Sequence, residues 1–376
     1  MQGQGAGADL PGGSRGAMTE RATTSPTLPS RYYTDPAILR EEQEKVFLRS
    51  WIHVGHVSDL PEPGSYLTDE ICGQPIVVLR GEEGGLRAMF NVCQHRGHLL
   101  LKGRGRISGR IVCPYHAWAY GLDGALAHAP MTQGMEEFDR ATFCLPAIAV
   151  AEAAGLIFVN LDPNCRPFAE EAPGFAQTIL GHLPDMARFV VTERMDFDIA
   201  ANWKVVFENF GEGYHIPVAH PALSRLHGRR TTASVVEERF QFYQGVGRDS
   251  FDGFEVQKDE PYLSWQLWPS HCLLSLPGSQ HLILLRILPV SPGTSQERAE
   301  IYAPAGAQPP NLQAVRRLFA EMFNREDMAI VESVQRGLAS RGFDQGRYVA
   351  DKADGWYSES ALHRFHMLLL RELARG

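Results

Sequence analysis

Cys93-Gln94-His95-Arg96-Gly97 and Cys113-Pro114-Tyr115-His116 stand in one stretch, with seventeen residues between His95 and Cys113. Each short loop offers one thiolate and one imidazole. Zinc accepts the same four ligands, but a zinc finger groups its cysteines together and its histidines together. A Rieske 2Fe-2S cluster needs two cysteines on one iron and two histidines on the other, which alternating Cys-x-His and Cys-x-x-His loops supply.

Outward from these loops, Gly97, Gly103, Gly105, Gly109 and Pro114 suit tight turns that bring backbone amides close to bridging sulfides. The flanking runs 76–80, 87–92, 107–112 and 155–160 are short and rich in β-branched residues, which predicts an antiparallel β-domain. Cys72, Cys144, Cys165 and Cys272 lack a histidine at comparable spacing and read as small hydrophobes.

The second informative stretch runs from Asn202-Trp203-Lys204 through Asn209-Phe210-Gly211-Glu212-Gly213-Tyr214-His215 to His220-Pro221. Glu212 and His215 share a helical face, Pro217 is expected to end that helix, and His220 returns from the turn beyond. Non-haem Fe(II) oxygenases bind iron with two histidines and one carboxylate, leaving positions for dioxygen and substrate. Residues 312–338 carry a helical apolar pattern of Leu312, Val315, Phe319, Phe323, Ile330, Val334 and Leu338, with Glu321 and Glu332 opposite. Glu326 and Asp327 fall on the two edges of that stripe. An acid turned toward a core needs a partner or a metal, and periodicity does not choose between these two.

These motifs resemble those of the large (α) subunits of Rieske-type aromatic-ring-hydroxylating oxygenases, from about Tyr32 to the C-terminus. The resemblance implies Cys93, His95, Cys113 and His116 as cluster ligands and His215, His220 and Asp327 as the mononuclear iron triad, with Asn209 and Glu212 matching the accompanying motif. In that family the acid matching Glu212 links the Rieske histidine of a neighbouring subunit to an iron-ligating histidine. A head-to-tail homotrimer without a β subunit follows as an expectation. So does a flavin- or ferredoxin-type reductase drawing on NAD(P)H, with O2 as oxidant. Glu at position 212, together with Asn324-Arg325-Glu326-Asp327 and Gln335-Arg336-Gly337-Leu338, resembles the branch acting on choline, glycine betaine, carnitine and stachydrine.

Tyr262, Trp265 and Trp268 precede Pro269 on a segment expected to lead into strands at 273–276 and 282–288, and aromatic faces attract quaternary ammonium groups. The expected reaction is hydroxylation or N-demethylation of a small quaternary ammonium or betaine-like substrate. The runner-up is O-demethylation or ring hydroxylation of an aromatic compound. A Rieske electron carrier, or a ligand sensor without turnover, would hold about two irons per chain where the oxygenase holds about three.

The expected architecture is α+β: a mobile tail over 1–30, an N-terminal helix over 31–50 packing on the catalytic domain, a β-rich Rieske domain over 51–162, and a helix-grip (START-like) catalytic domain over 163–376 with an antiparallel sheet and helices. Met18 is a candidate start. A net charge of −8, from 44 acidic and 36 basic residues, offers no basic face for nucleic acid or anionic lipid. Apolar runs are short or interrupted by charge, no secretory signal is evident, and six irregularly spaced cysteines make a poor disulfide framework, so a cytoplasmic protein is expected.

Overall fold

Two seven-stranded antiparallel sheets organise the chain, and the computed structural model describes residues 16–221, 224, 227–247, 260–277, 280–306, 312–317, 319, 324–350 and 357–375. The first sheet draws on β1 (Ile52–His56), β2 (Ser65–Ile71), β3 (Gln74–Arg80), β4 (Leu86–Phe90), β5 (Arg104–Arg106), β9 (Ala147–Ala153) and β10 (Leu156–Asn160). Its order is β1-β10-β9-β4-β3-β2-β5. A three-stranded sheet of β6 (Ile111–Val112), β7 (Ala119–Tyr120) and β8 (Leu126–His128) stands beside it. The expected strand over 107–112 is divided, because Ser108-Gly109 turn the chain between β5 and β6, Gly109 having φ +87°. Gly105 lies within β5 rather than in a turn. A Cβ there would meet the Tyr66 ring at 3.1 Å.

The second sheet comprises β11 (Phe189–Ile199), β12 (His227–Val236), β13 (Phe240–Gly247), β14 (Pro261–Leu267), β15 (His271–Ser275), β16 (Leu282–Ser291) and β17 (Thr294–Pro304), in the order β11-β17-β16-β15-β14-β13-β12. β14 through β16 are buried almost throughout, as expected for central strands covered on both faces. Helices α1 (Arg31–Thr34), α2 (Pro36–Lys45), α3 (Phe168–Glu171), α4 (Phe175–His182), α5 (Trp203–Phe210), α6 (Ile216–Ala219), α7 (Leu312–Arg317), α8 (Asn324–Leu338) and α9 (Ser360–Ala374) complete the described elements.

One core joins the two sheets. Leu67, Ile76, Val78 and Ile157 from the first share a buried cluster with Ile283, Leu285, Ile287 and Ile301 from the second. Ion pairs seal the same interface: Arg286 Nη1 lies 2.6 Å from Asp69 Oδ2, and Arg194 Nη2 lies 2.5 Å from Asp59 Oδ1. Burial alone would raise the Asp69 carboxyl, but the Arg286 and Arg298 guanidiniums outweigh it and hold the group below its ordinary range.

Two expectations about the ends of elements change. Residues 16–30 are not a loose tail: Leu28 and Ser25 are buried, and Pro26 bridges to Arg347. Ser30 N donates to Asp344 O at 2.9 Å, so short polar residues here satisfy their backbone against the segment that precedes α9. Residues 1–15 lie outside the described part. The helix expected over 31–50 is divided at Asp35, which caps α2 by accepting from Ala37 N at 2.7 Å with Pro36 behind it. α2 then gives way to a 3-10 turn over Phe47–Arg49. Likewise the pattern over 312–338 corresponds to two helices, α7 and α8. Glu321 and Phe323 lie outside the described residues, and Val334 faces solvent at 45% exposure.

Candidate metal centres

The two cysteine loops are built alike. Cys93 N donates to His98 O at 2.8 Å while Gly97 N returns to Cys93 O at 2.9 Å; Cys113 N donates to Trp118 O at 2.8 Å while Ala117 N returns to Cys113 O at 3.0 Å. The returning residue is left-handed in both, Gly97 at φ +73° and Ala117 at φ +56°. A non-glycine residue there costs about 1 kcal/mol, retained in return for the loop shape. Both thiols are buried and both imidazoles exposed, with the His95 and His116 rings 4.7 Å apart and His95 stacked on Trp118.

These four ligands do not converge on one point. Among the described residues, the group of three or more metal-ligating side chains whose ligand atoms all lie within 4.8 Å of one another is His215, His220 and Asp327. Separate thiol and imidazole pairs suit a two-iron cluster and are wrong for a single zinc. Tyr120 is a neighbour that sequence reading missed. Its hydroxyl sits 3.3 Å from Cys93 Sγ and accepts from Gln94 N at 3.0 Å. β7 is two residues long and buried at both, so no alternation in the sequence marked Tyr120.

The second centre grows from the end of α5. Asn202 caps that helix by accepting from Lys204 N at 3.0 Å, and the helix delivers Asn209 before stopping at Gly211, where a Cβ would meet Leu362 at 2.6 Å. Glu212 and His215 therefore lie beyond the helix, not on its face. Pro217 opens α6 instead of ending α5, since the second position of a helix needs no N–H donor. Glu212 still reaches His215: its Oε1 is 2.5 Å from His215 Nδ1, and its Oε2 accepts from the backbone of Tyr214 and His215.

α8 brings the acids. Asp327 Oδ1 lies 2.8 Å from His220 Nε2 and 3.6 Å from His215 Nε2, and it accepts from Asn209 Nδ2 at 2.6 Å. Glu326 turns to the other edge of His220, with Oε2 2.6 Å from Nδ1. Bonds of about 2.1 Å at right angles put neighbouring ligand atoms about 3 Å apart; Asp327 stands near that distance from both histidines, and all three ligand atoms lie within 4.8 Å of one another. Burial pulls the His220 imidazole down, but Asp327 and Glu326 outweigh it and raise it. The pocket thus attracts positive charge, which suits a bound cation.

Around the triad the walls are apolar: Phe210, Ile216, Leu274, Leu276, Ile283 and Phe319, with Tyr262. Of the three aromatic residues singled out for substrate, only Tyr262 lines this cavity. Trp265 is three residues on and faces the other side of β14, stacked on Phe242 and donating to Thr178 Oγ1 at 2.9 Å. Trp268 lies past the strand end, donating to Ser50 Oγ at 2.9 Å beneath the Arg239 guanidinium. Both belong to the core.

Comparison with known proteins bears on the same segments. A family model described as "Ring hydroxylating alpha subunit (catalytic domain)" matches residues 186–374, and one described as "Rieske [2Fe-2S] domain" matches residues 50–139. The chain is 36% identical over 358 residues to the carnitine monooxygenase oxygenase subunit of Escherichia coli (strain K12), covering 91% of this chain and 92% of that one. It is 29% identical over 395 aligned positions to the glycine betaine monooxygenase oxygenase subunit of Chromohalobacter salexigens, covering 90% and 86%. A solved quaternary ammonium Rieske monooxygenase, reported for carnitine oxidation and inter-subunit electron transfer, superposes with a TM-score of 0.87 at 32% identity, covering 93% and 96%.

Proposed function

This chain belongs to the family of ring-hydroxylating Rieske oxygenase α subunits, and from that premise we propose that it hydroxylates a small quaternary ammonium or betaine-like substrate at a carbon beside nitrogen. It is an oxidoreductase that carries a Rieske cluster and a mononuclear non-haem iron and takes its electrons from a reductase. Cys93, His95, Cys113 and His116 would hold the cluster; His215, His220 and Asp327 would hold the iron. When bound, the cluster supplies electrons singly and the iron supplies the oxidation of substrate by O2.

The observation that carries the substrate reading is the wall of the iron cavity. Among its described lining residues, no lysine or arginine appears, two acids do, and Tyr262 offers an aromatic face beside the triad. A trimethylammonium head is favoured in that setting by cation–π attraction and by nearby carboxylates, while apolar side chains exclude water from its methyl groups. Asn209 holds Asp327 in place, and Glu212 holds the Nδ1 proton of His215. Hydroxylation of an N-methyl carbon gives a hydroxymethylammonium that splits into formaldehyde, a proton and a tertiary amine carrying the rest of the substrate, whereas hydroxylation of a methylene carbon beside nitrogen splits the substrate into trimethylamine, a proton and an aldehyde.

A head-to-tail homotrimer is part of the same reading, with Glu212 serving as the link from a neighbour's Rieske histidine to His215. Exposed apolar side chains gather near both centres. Met131 (93% exposed), Met135 and Tyr115 lie around His95 and His116, and Val218 (86%) and Tyr214 flank His215. Such patches mark contact surfaces. No described helix is long and apolar enough to cross a membrane, and the six cysteines form no disulfide, which accords with a cytoplasmic setting.

The test is turnover of protein loaded with both metals and given a reductase, offered choline, glycine betaine and carnitine, with formaldehyde and tertiary amine measured against O2 consumed. Product from at least one of these in proportion to O2 is expected. Turnover of an aromatic acid alone would establish the aromatic reading instead.

A further inference from the structure

Both histidines of the iron triad present Nε2 to Asp327, and both turn Nδ1 to a glutamate: His215 to Glu212 at 2.5 Å and His220 to Glu326 at 2.6 Å. The two glutamates differ in setting. The Glu212 side chain is 9% exposed and that of Glu326 is 41% exposed, although the His220 ring it contacts is only 1% exposed. Glu326 therefore reaches from the solvent side into a buried ring. Periodicity left Glu326 and Asp327 as rivals for one ligand position, but the structure gives them different edges of the same imidazole.

A histidine binds a metal through one nitrogen and must place the proton on its other nitrogen. A carboxylate at that N–H fixes the tautomer, stops ring rotation and makes the ligating nitrogen more basic. Glu326 sits in the first turn of α8, where the helix dipole favours an acid, so the position costs the fold little.

We propose that Glu326 is a positioning residue for the mononuclear iron, holding His220 in the Nδ1–H tautomer and in the orientation that offers Nε2 to the metal. The proposal rests on the assignment of His215, His220 and Asp327 as the iron ligands. It separates two roles that the sequence motif runs together. Glu326 serves metal retention at one histidine, while Glu212 serves the other histidine and the contact with a neighbouring cluster.

The experiment is Fe(II) affinity at the mononuclear site, measured by chelator competition on protein with its 2Fe-2S cluster intact, for wild type, Glu326→Ala, Glu326→Gln and His220→Ala. Glu326→Ala is expected to weaken Fe(II) binding by about 10- to 100-fold. Glu326→Gln, whose amide oxygen still accepts from Nδ1–H, is expected to fall between it and wild type. The reduced-cluster EPR signal stays at its wild-type value, and the iron-free protein still melts cooperatively, somewhat lower because the buried His220 ring loses its partner. An Fe(II) dissociation constant for Glu326→Ala within about twofold of wild type, with iron lost from His220→Ala, overturns the role of Glu326 alone. Iron retained by His220→Ala overturns the ligand assignment and the proposal with it.

Discussion

Glu297 on β17 is fully buried, and neither carboxylate oxygen makes a hydrogen bond of normal geometry; the Asn324 amide is close by. Burial first, and the Asp327 charge second, push this acid from 4.5 up to about 8. The folded chain therefore keeps a proton that the unfolded chain releases near 4.5, so this site's contribution to stability is whole below that pH and is lost as pH rises through about 8. Glu297→Gln, which keeps the shape without the charge, is expected to melt with wild type near about pH 5 and several degrees higher near about pH 8.5. Parallel melting curves at the two pH values would show that Glu297 does not titrate in this range. None of this was legible in the sequence. Nothing in the spacing of Glu297 distinguishes it from the solvated Glu193, because depth is set by which strands flank β17.

At the level of secondary structure, a buried ion pair ties α2 to the helix that delivers Asn209, α5. Glu42 accepts from Trp203 Nε1 at 2.7 Å and from Lys204 Nζ at 2.7 and 2.9 Å, with Glu42 and Lys204 both fully buried. Burial lowers the Lys204 ammonium while the Glu42 charge partly restores it. Removing the carboxylate leaves a buried cation without its partner, so Glu42→Gln is expected to destabilise the protein by about 3 to 5 kcal/mol in urea unfolding. Glu42→Gln combined with Lys204→Met is expected to recover most of that loss. A cost below about 1 kcal/mol for the single variant would mean that solvent reaches the pair. The sequence showed that a helix precedes the cysteine loops, but not that its acid is the counter-charge of a lysine 162 positions later. A helix was expected over this stretch, but α5 stops at Gly211, before Glu212 and His215. The error at Pro217 arose because proline is tolerated at the start of a helix as readily as it ends one.

For the molecule as a whole, the trimer reading has an outcome that a single-chain route cannot produce. One variant lacking the cluster, His116→Ala, and another lacking the mononuclear iron, His215→Ala, are each expected to be inactive. Mixed oligomers assembled from the two are expected to regain part of the substrate-dependent O2 consumption, since an intact cluster of one chain then faces an intact iron of another. Failure of mixed oligomers to recover any activity, with exchange of subunits verified by mass, would place electron transfer within one chain.

Residue identity and spacing were enough to name the candidate chemistry. Ligand atoms are side-chain identities at fixed spacing, so two Cys/His loops and a His-x₄-His pair beside them name candidate ligands for a cluster and an iron before any fold is known. The sequence also determined the β-rich and helical segments, through local periodicity. Long-range contact settled the rest: Asp327, which the family resemblance implied and periodicity did not choose, stands beside both histidines while Glu326 meets the far edge of His220, Trp265 and Trp268 are core while Tyr262 faces the cavity, and residues 16–30 lie against the segment around Asp344 and Arg347. The physical reason is the same in each case. A side chain's role depends on what lies across from it, and that neighbour comes from a distant part of the chain.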